Sequence, residues 1–348
     1  MTRRGNRVPR LLRIFLWLAL PLVVWLALRG LDVRQVGRVL GQLGPIQIAV
    51  LLVVNLLVVC ALAGRWWAIL AADGHVVPYG AATLYRLAGF GITYFTPGTQ
   101  FGGEPLQAYL VHRRHAVPAA KAAAAIVLDR ALELAVNFGF LALGMATVLH
   151  LGIYPRGTAW VLTVGALVLL AAPVAYLAGA WGGRAPGSWI VTRMAKWAGS
   201  APWFVKLRSS TAAAEAEVSR MAHDRPAGLI LGLIFSAMTW VTLLAEWWLV
   251  LRYLGIELDL ERLIAVVTAT RLALFVPVPG ALGALEASLV LSLSALGHTP
   301  EQALAVAAVV RVRDIAFAAT GVWLGGVLAG RTPSAATTES PAESTTPS

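Results

Sequence analysis

Pro97-Gly98-Thr99-Gln100-Phe101-Gly102-Gly103-Glu104 and Pro279-Gly280-Ala281-Leu282-Gly283-Ala284-Leu285-Glu286 decide how this chain folds. Each is a Pro/Gly break inside an apolar stretch, 83–112 and 263–297, and each ends on a carboxylate. Both read P-G-x5-E, so Glu104 stands to Pro97 as Glu286 stands to Pro279. An arginine stands upstream of each break, Arg86 and Arg271. A mixed charge cluster follows each glutamate at the same spacing: Asp129-Arg130 in one case, Arg311 with Arg313-Asp314 in the other. Proline removes a backbone donor and kinks or ends a helix, so each stretch reads as two short half-helices. Neither half reaches the roughly 20 residues a helix needs to cross hydrocarbon. Each pair therefore reads as a re-entrant hairpin, its irregular turn kept inside protein or against a wet cavity.

The surroundings of the two breaks are strongly apolar. Of 348 residues 58% are hydrophobic and 13% charged, about half the charged share of an ordinary soluble domain. Uninterrupted apolar runs at 11–28, 46–64, 121–149, 157–181, 226–254 and 302–329 predict six crossings. The first follows Arg3, Arg4, Arg7, Arg10 and Arg13 but is long for a signal core and lacks a small-x-small cleavage site, so a retained helix is expected. The fold class that results is an all-α integral membrane protein of about six transmembrane helices plus two re-entrant hairpins. Three crossings separate the hairpins, so an inverted repeat is expected, about 46–181 and 226–329. A basic loop, 182–225, joins the halves, and a Ser/Thr/Pro/Ala/Glu tail, 331–348, has the composition of a disordered segment.

The formal net charge is +11. The basic residues sit mainly at the ends of apolar runs, which argues for a topology signal and against nucleic acid. With an inner-membrane topology and both termini cytoplasmic, 17 Lys/Arg lie on the cytoplasmic side and 6 outside. In the 182–225 loop, Trp197, Trp203 and Phe204 alternate with Lys196, Lys206 and Arg208, as in a helix resting on an anionic leaflet; a plain solvated connector is the other reading. The single cysteine, Cys60, excludes an intrachain disulfide.

Ionisable groups are expensive at membrane depth, roughly 2.5–3.5 kcal/mol each on insertion scales. This chain has many: Arg86, Glu104, Asp129, Arg130, Glu133, Glu246, Arg271, Glu286, Arg311, Arg313 and Asp314. They either lock helices together as buried pairs or surround a substrate. Clustering around the two breaks favours the second. Pro105 suits a first helical position, and the half-helix starting there presents free N–H groups and partial positive charge, which suits phosphate. Thr99 and Gln100 add hydrogen-bonding groups beside it. The candidate substrate-binding set is therefore Arg86, Thr99, Gln100, Glu104, Asp129, Arg130, Glu133, Arg271, Glu286, Arg311 and Arg313, with an anionic lipid headgroup as ligand. Gly228/Gly232 and Gly321/Gly325 have the spacing of close helix packing. The sequence holds no P-loop, H-E-x-x-H or G-x-S-x-G, so no catalytic residue, metal or cofactor is expected.

Gly64-Arg65-Trp66-Trp67, Tyr94-Phe95-Thr96-Pro97-Gly98 to Gly103-Glu104, Asp129-Arg130 with Glu133, and Val276-Pro277-Val278-Pro279-Gly280 to Glu286 occur in this order. The chain thereby resembles the transmembrane region of lysylphosphatidylglycerol synthases, a flippase-like domain also found as a stand-alone protein. The resemblance covers about residues 10–330 and implies movement of lipid between leaflets. The synthases carry a soluble catalytic domain after this region, and the Ser/Thr/Pro/Ala/Glu tail is not expected to supply one, so aminoacyl transfer is not expected of residues 1–348. Some relatives work beside glycosyltransferases, so the resemblance also admits a polyprenyl-phosphate-linked lipid, a role as partner of a lipid synthase or glycosyltransferase, or a membrane-embedded lipid-modifying enzyme.

Overall fold

The computed structural model describes residues 37, 39, 41–95, 102–152, 156–184, 187, 202–276, 278 and 281–330. The predicted first helix 11–28, the Pro97-Gly98 and Pro279-Gly280 pairs, Lys196, Trp197 and the 331–348 tail lie outside them. So do the side chains of Trp203, Phe204, Lys206 and Arg208.

Among the described residues the chain is all helical. The first set of helices is α1 (Pro45–Ala72), α2 (Tyr79–Phe95), α3 (Glu104–His115) and α4 (Ala119–His150). Two connecting helices follow, α5 (Arg156–Trp181) and α6 (Pro202–Asp224). The second set is α7 (Pro226–Tyr253), α8 (Leu260–Ala273), α9 (Ala284–Ala295) and α10 (Pro300–Gly330). Both sets run long, short, short, long, and the breaks between short helices fall where the sequence places its Pro/Gly pairs. One constant interval along the chain separates the start of α1 from that of α7, of α2 from α8, and of α4 from α10.

Local chemistry sets these boundaries. Proline stands at the first helical positions of α1, α3 and α7, where its missing N–H has no intrahelical partner to lose. The Asp259 side chain caps α8 by accepting from Arg262 N at 2.8 Å. Gly102 and Gly283 take positive φ, 144° and 80°, two residues before α3 and one before α9.

Among the described residues four helices are long and apolar enough to cross a membrane: α1, α4, Trp160–Trp181 within α5, and α7. Their outward faces are bare hydrocarbon surfaces; Leu52, Val53 and Leu56 on α1 are 58%, 56% and 57% exposed. Water would disfavour these faces, and lipid tails solvate them at no such cost. Helix α10 is also long enough to span, but Arg311, Arg313 and Asp314 lower its hydropathy.

Helices α1 and α7 form the longest helix contact and run antiparallel. Gly228 near the start of α7 abuts Ile69 and Ala72 at the end of α1, and Gly232 lies against Arg65. Helix α2 packs closely along α10. A Cβ on Gly91 would run into the α10 backbone at Ala318, Gly321 and Val322. The small-residue spacings noted in the sequence thus mark contacts where backbones nearly touch. The second half of α6 lays Val218, Met221 and Ala222 into the core formed by α1–α4 rather than onto a lipid surface. Two main apolar cores result, one around Trp66, Leu70 and Leu110, the other around Trp247, Leu289 and Val306.

Candidate functional site

The glutamates that end the two breaks perform the same local task. Glu104 accepts a hydrogen bond from Gly102 N at 2.6 Å, and Glu286 accepts one from Gly283 N at 2.8 Å. Each also pairs with an arginine on the long helix closing its set: Glu104 with Arg130, and Glu286 with Arg311, whose Nε is 2.7 Å away. Arg130 and Arg311 are separated by the same interval as the starts of their helices. The helix N-terminus expected to receive phosphate is thus occupied at its entrance by the protein's own carboxylate, and the Gly103 N–H donates to Thr93 Oγ1 at 3.0 Å.

The first set builds a closed ion network. Arg65 Nε donates to Asp129 at 2.6 Å and its Nη2 to Glu133 at 2.6 Å. Arg86 straddles the same two carboxylates at 2.7 and 3.0 Å, and Arg130 reaches Glu133 at 3.0 Å. Asp129 is 1% exposed and Arg65 3%. One turn separates Asp129 from Glu133, so both face the same neighbours. Three guanidinium groups thus meet three carboxylates, Glu104 included, and the set is neutral.

The second set is arranged differently. Arg313 donates Nε and Nη2 to Asp314 Oδ1, at 3.0 and 2.7 Å, and Nη1 to Glu246. One guanidinium is therefore shared by two carboxylates. Arg311 is 1% exposed and is held by Glu286 and the Ala281 carbonyl. Arg271 differs from all of these. Among the described residues no carboxylate lies within ion-pair distance of it, and its guanidinium rests 5.1 Å from the centre of the Trp240 ring. Trp240 is itself stacked on Phe140, 3.8 Å between ring centres.

Between the two sets lies a cavity of about 290 Å³. Arg65, Arg86, Arg130, Arg271 and Arg313 line it, together with Glu133, Glu246 and Asp314. Glu104, Asp129, Glu286 and Arg311 are not part of the lining; each is paired with an opposite charge. Thr99 and Gln100 lie outside the described residues.

The two walls correspond position by position. On α1 the lining residues are Asn55, Val58, Val59, Leu62 and Arg65; on α7 they include Ser236, Thr239, Trp240, Leu243 and Glu246. Each α7 residue follows its α1 counterpart by the interval that relates the helix starts, and Glu133 and Asp314 are related in the same way. At the last of these α1/α7 positions along the chain the charge is reversed, Arg65 against Glu246. The candidate residues from the sequence omitted Arg65, Gln107, Trp240, Glu246 and Asp314. A signal for Arg65 and Glu246 exists: Arg65-Trp66-Trp67 recurs as Glu246-Trp247-Trp248. Arg65 also entered the topology count as a cytoplasmic charge; it is a buried network member, and the basic excess stands without it.

Comparison with known proteins follows the same line. The family described as lysylphosphatidylglycerol synthase TM region matches residues 11–320. A UPF0104 membrane protein of Methanothermobacter thermautotrophicus is 22% identical over 289 residues, covering 80% of this chain and 84% of its own length. No solved structure matches.

Proposed function

The chain belongs to the lysylphosphatidylglycerol synthase transmembrane-region family, and from that premise we propose that this multi-pass membrane protein holds the phosphate-bearing headgroup of an anionic lipid in its central cavity and carries it between leaflets. Arg271 is the observation that carries this reading. A guanidinium facing a cavity at membrane depth without a protein counter-ion is costly unless a ligand supplies the anion. Arginine offers a planar fork of donors that matches phosphate oxygens. The lipid tails remain outside, against the exposed apolar faces of the long helices. A phospholipid and a polyprenyl-phosphate-linked lipid both supply the required phosphate.

The transport arrangement belongs to the same proposal. The short-helix pairs α2/α3 and α8/α9 serve as re-entrant hairpins entering from opposite leaflets, as in inverted-repeat transporters whose sites form where discontinuous helices meet. Antiparallel packing of α1 on α7 supports this, because each long helix delivers the chain to its own hairpin. The basic asymmetry supports an inner-membrane orientation with both termini cytoplasmic.

Reconstitution into liposomes tests the reading. Purified protein should accelerate the crossing of a head-labelled phospholipid or polyprenyl phosphate, and Arg271→Gln should abolish the acceleration while the protein stays folded. Liposomes in which neither lipid class moves faster with wild-type protein overturn it.

A further inference from the structure

The charges that line the cavity call for more than an anion. Counting each arginine as a cation and each carboxylate as an anion, the network of Arg65, Arg86, Arg130, Glu104, Asp129 and Glu133 is neutral. The pair Arg311–Glu286 is neutral too. What remains is Arg271 with no carboxylate, and Arg313 shared by Glu246 and Asp314. The second wall therefore carries one surplus positive charge at Arg271 and one surplus negative charge at Glu246/Asp314, both on the same cavity.

Three observations show that this surplus is a property of the site. First, the repeat-equivalent position on the first wall holds Arg65, bonded to Asp129 and Glu133; on the second wall Glu246 stands there, so two carboxylates gather on Arg313 while Arg271 lies apart from them. Second, one carboxylate oxygen on each side is open. Among the described residues Glu246 Oε2 and Asp314 Oδ2 accept no hydrogen bond, since Arg313 uses the other oxygen of each. Third, the Arg271 guanidinium carbon lies 5.1 Å from the centre of the Trp240 ring, and both residues line the cavity. A monoanionic headgroup would satisfy Arg271 but leave the carboxylate surplus uncompensated in a low-dielectric site. A headgroup with one phosphate and one ammonium satisfies both ends and leaves no net charge behind.

We propose that the headgroup received here is zwitterionic: its phosphate lies on Arg271, and a primary ammonium lies between Glu246 and Asp314. This rests on the proposed lipid-handling role and keeps its phosphate on Arg271, but narrows the lipid from an anionic one to one whose ammonium cancels the phosphate charge. It selects a phosphoethanolamine-type phospholipid over a phosphoglycerol one and over a polyprenyl phosphate, because only the first brings a cation to the carboxylates.

The test is competitive binding to the purified full chain, read by native mass spectrometry with short-chain phosphatidylethanolamine and phosphatidylglycerol at equal concentration. Wild-type protein should retain the ethanolamine lipid at least tenfold more strongly. Asp314→Asn and Glu246→Gln should each shrink that ratio toward one, and Arg271→Gln should weaken both lipids alike. Equal or tighter binding of phosphatidylglycerol to wild-type protein overturns the ammonium assignment and leaves the phosphate reading standing. Absence of saturable binding by either lipid overturns both. The decisive ratio comes from wild-type protein, so a variant that fails to fold leaves the test intact.

Discussion

Arg271 and Arg130 are both arginines of the central cavity, yet their environments oppose each other. Arg130 is held by Glu104 and Glu133, whereas Arg271 rests against the Trp240 ring and, among the described residues, pairs with no carboxylate. Breaking a buried pair typically costs about 3–5 kcal/mol, because the orphaned charge stays in place. Glu104→Gln should therefore lower the melting temperature in detergent, and Glu286→Gln should do the same through Arg311. Adding Arg130→Gln to Glu104→Gln should recover part of the loss, since the double variant removes both members of the pair. Thermal unfolding of the single and double variants checks this; a double variant as unstable as the sum of its parts would show that the two side chains do not act as a pair. Arg271 makes no ion pair among the described residues, so Arg271→Gln breaks none and should lower the melting temperature less than Glu104→Gln does.

The helices are held in register by close backbone contact inside and by an ion cluster at one end. Gly91 of α2 touches α10 so closely that even a methyl group meets backbone. Overpacking of this kind costs about 1–3 kcal/mol, and Gly91→Ala should lose that much, measured as a lower unfolding temperature. At the end of α1, Asp73 receives Arg220 of α6 at 2.6 Å and Lys121 of α4 at 3.2 Å, so one carboxylate ties three helices. Burial pushes the Asp73 carboxyl up, but the hydrogen bonds from Arg220 and Lys121 outweigh it and hold the group below its ordinary value of 3.8. A depressed folded value means that the stabilisation is fully present above that ordinary value and fades as pH falls through the lower one. Arg220 is 35% exposed, which places the tie toward the low end of charged hydrogen bonds, about 1–2 kcal/mol. Asp73→Asn should show that deficit at neutral pH, and the gap to wild type should narrow only below about pH 4. A gap independent of pH would assign the loss to packing.

At the scale of the molecule, Asp73, Lys121 and Arg220 mark one end of the helix bundle, and the α4–α5 connection is at the other. The proposed orientation puts the first end in the cytoplasm. In a Cys60→Ala background, Asp224→Cys should then be protected from an impermeant thiol reagent added to intact cells, and Thr158→Cys should be labelled. Labelling of Asp224→Cys alone would reverse the orientation. The repeated order of long, short, short and long helices also makes the cavity a shared product of both sets. Neither set lines it alone, and the reversal from Arg65 to Glu246 means that the two walls are not interchangeable.

Much of this architecture was readable from residues near one another. Apolar runs specify helices and their solvent, because hydrophobicity is summed over neighbours along the chain. The Pro/Gly breaks divide two stretches into short helices, because proline acts on its own turn. Glu104 and Glu286 could be matched because they sit in the same local motif. Which charge meets which could not be read this way. Arg65 and Asp129 lie far apart along the chain, as do Arg313 and Glu246; those pairings exist only once α1 lies on α4 and α7 on α10. Tertiary packing therefore decided that Arg130 and Arg311 are neutralised, that Arg65 belongs to the network, and that Arg271 faces the cavity with no carboxylate at ion-pair distance among the described residues. The physical reason is that apolarity and backbone geometry are properties of a segment, whereas the counter-ion of a buried charge depends on which helix the fold sets beside it.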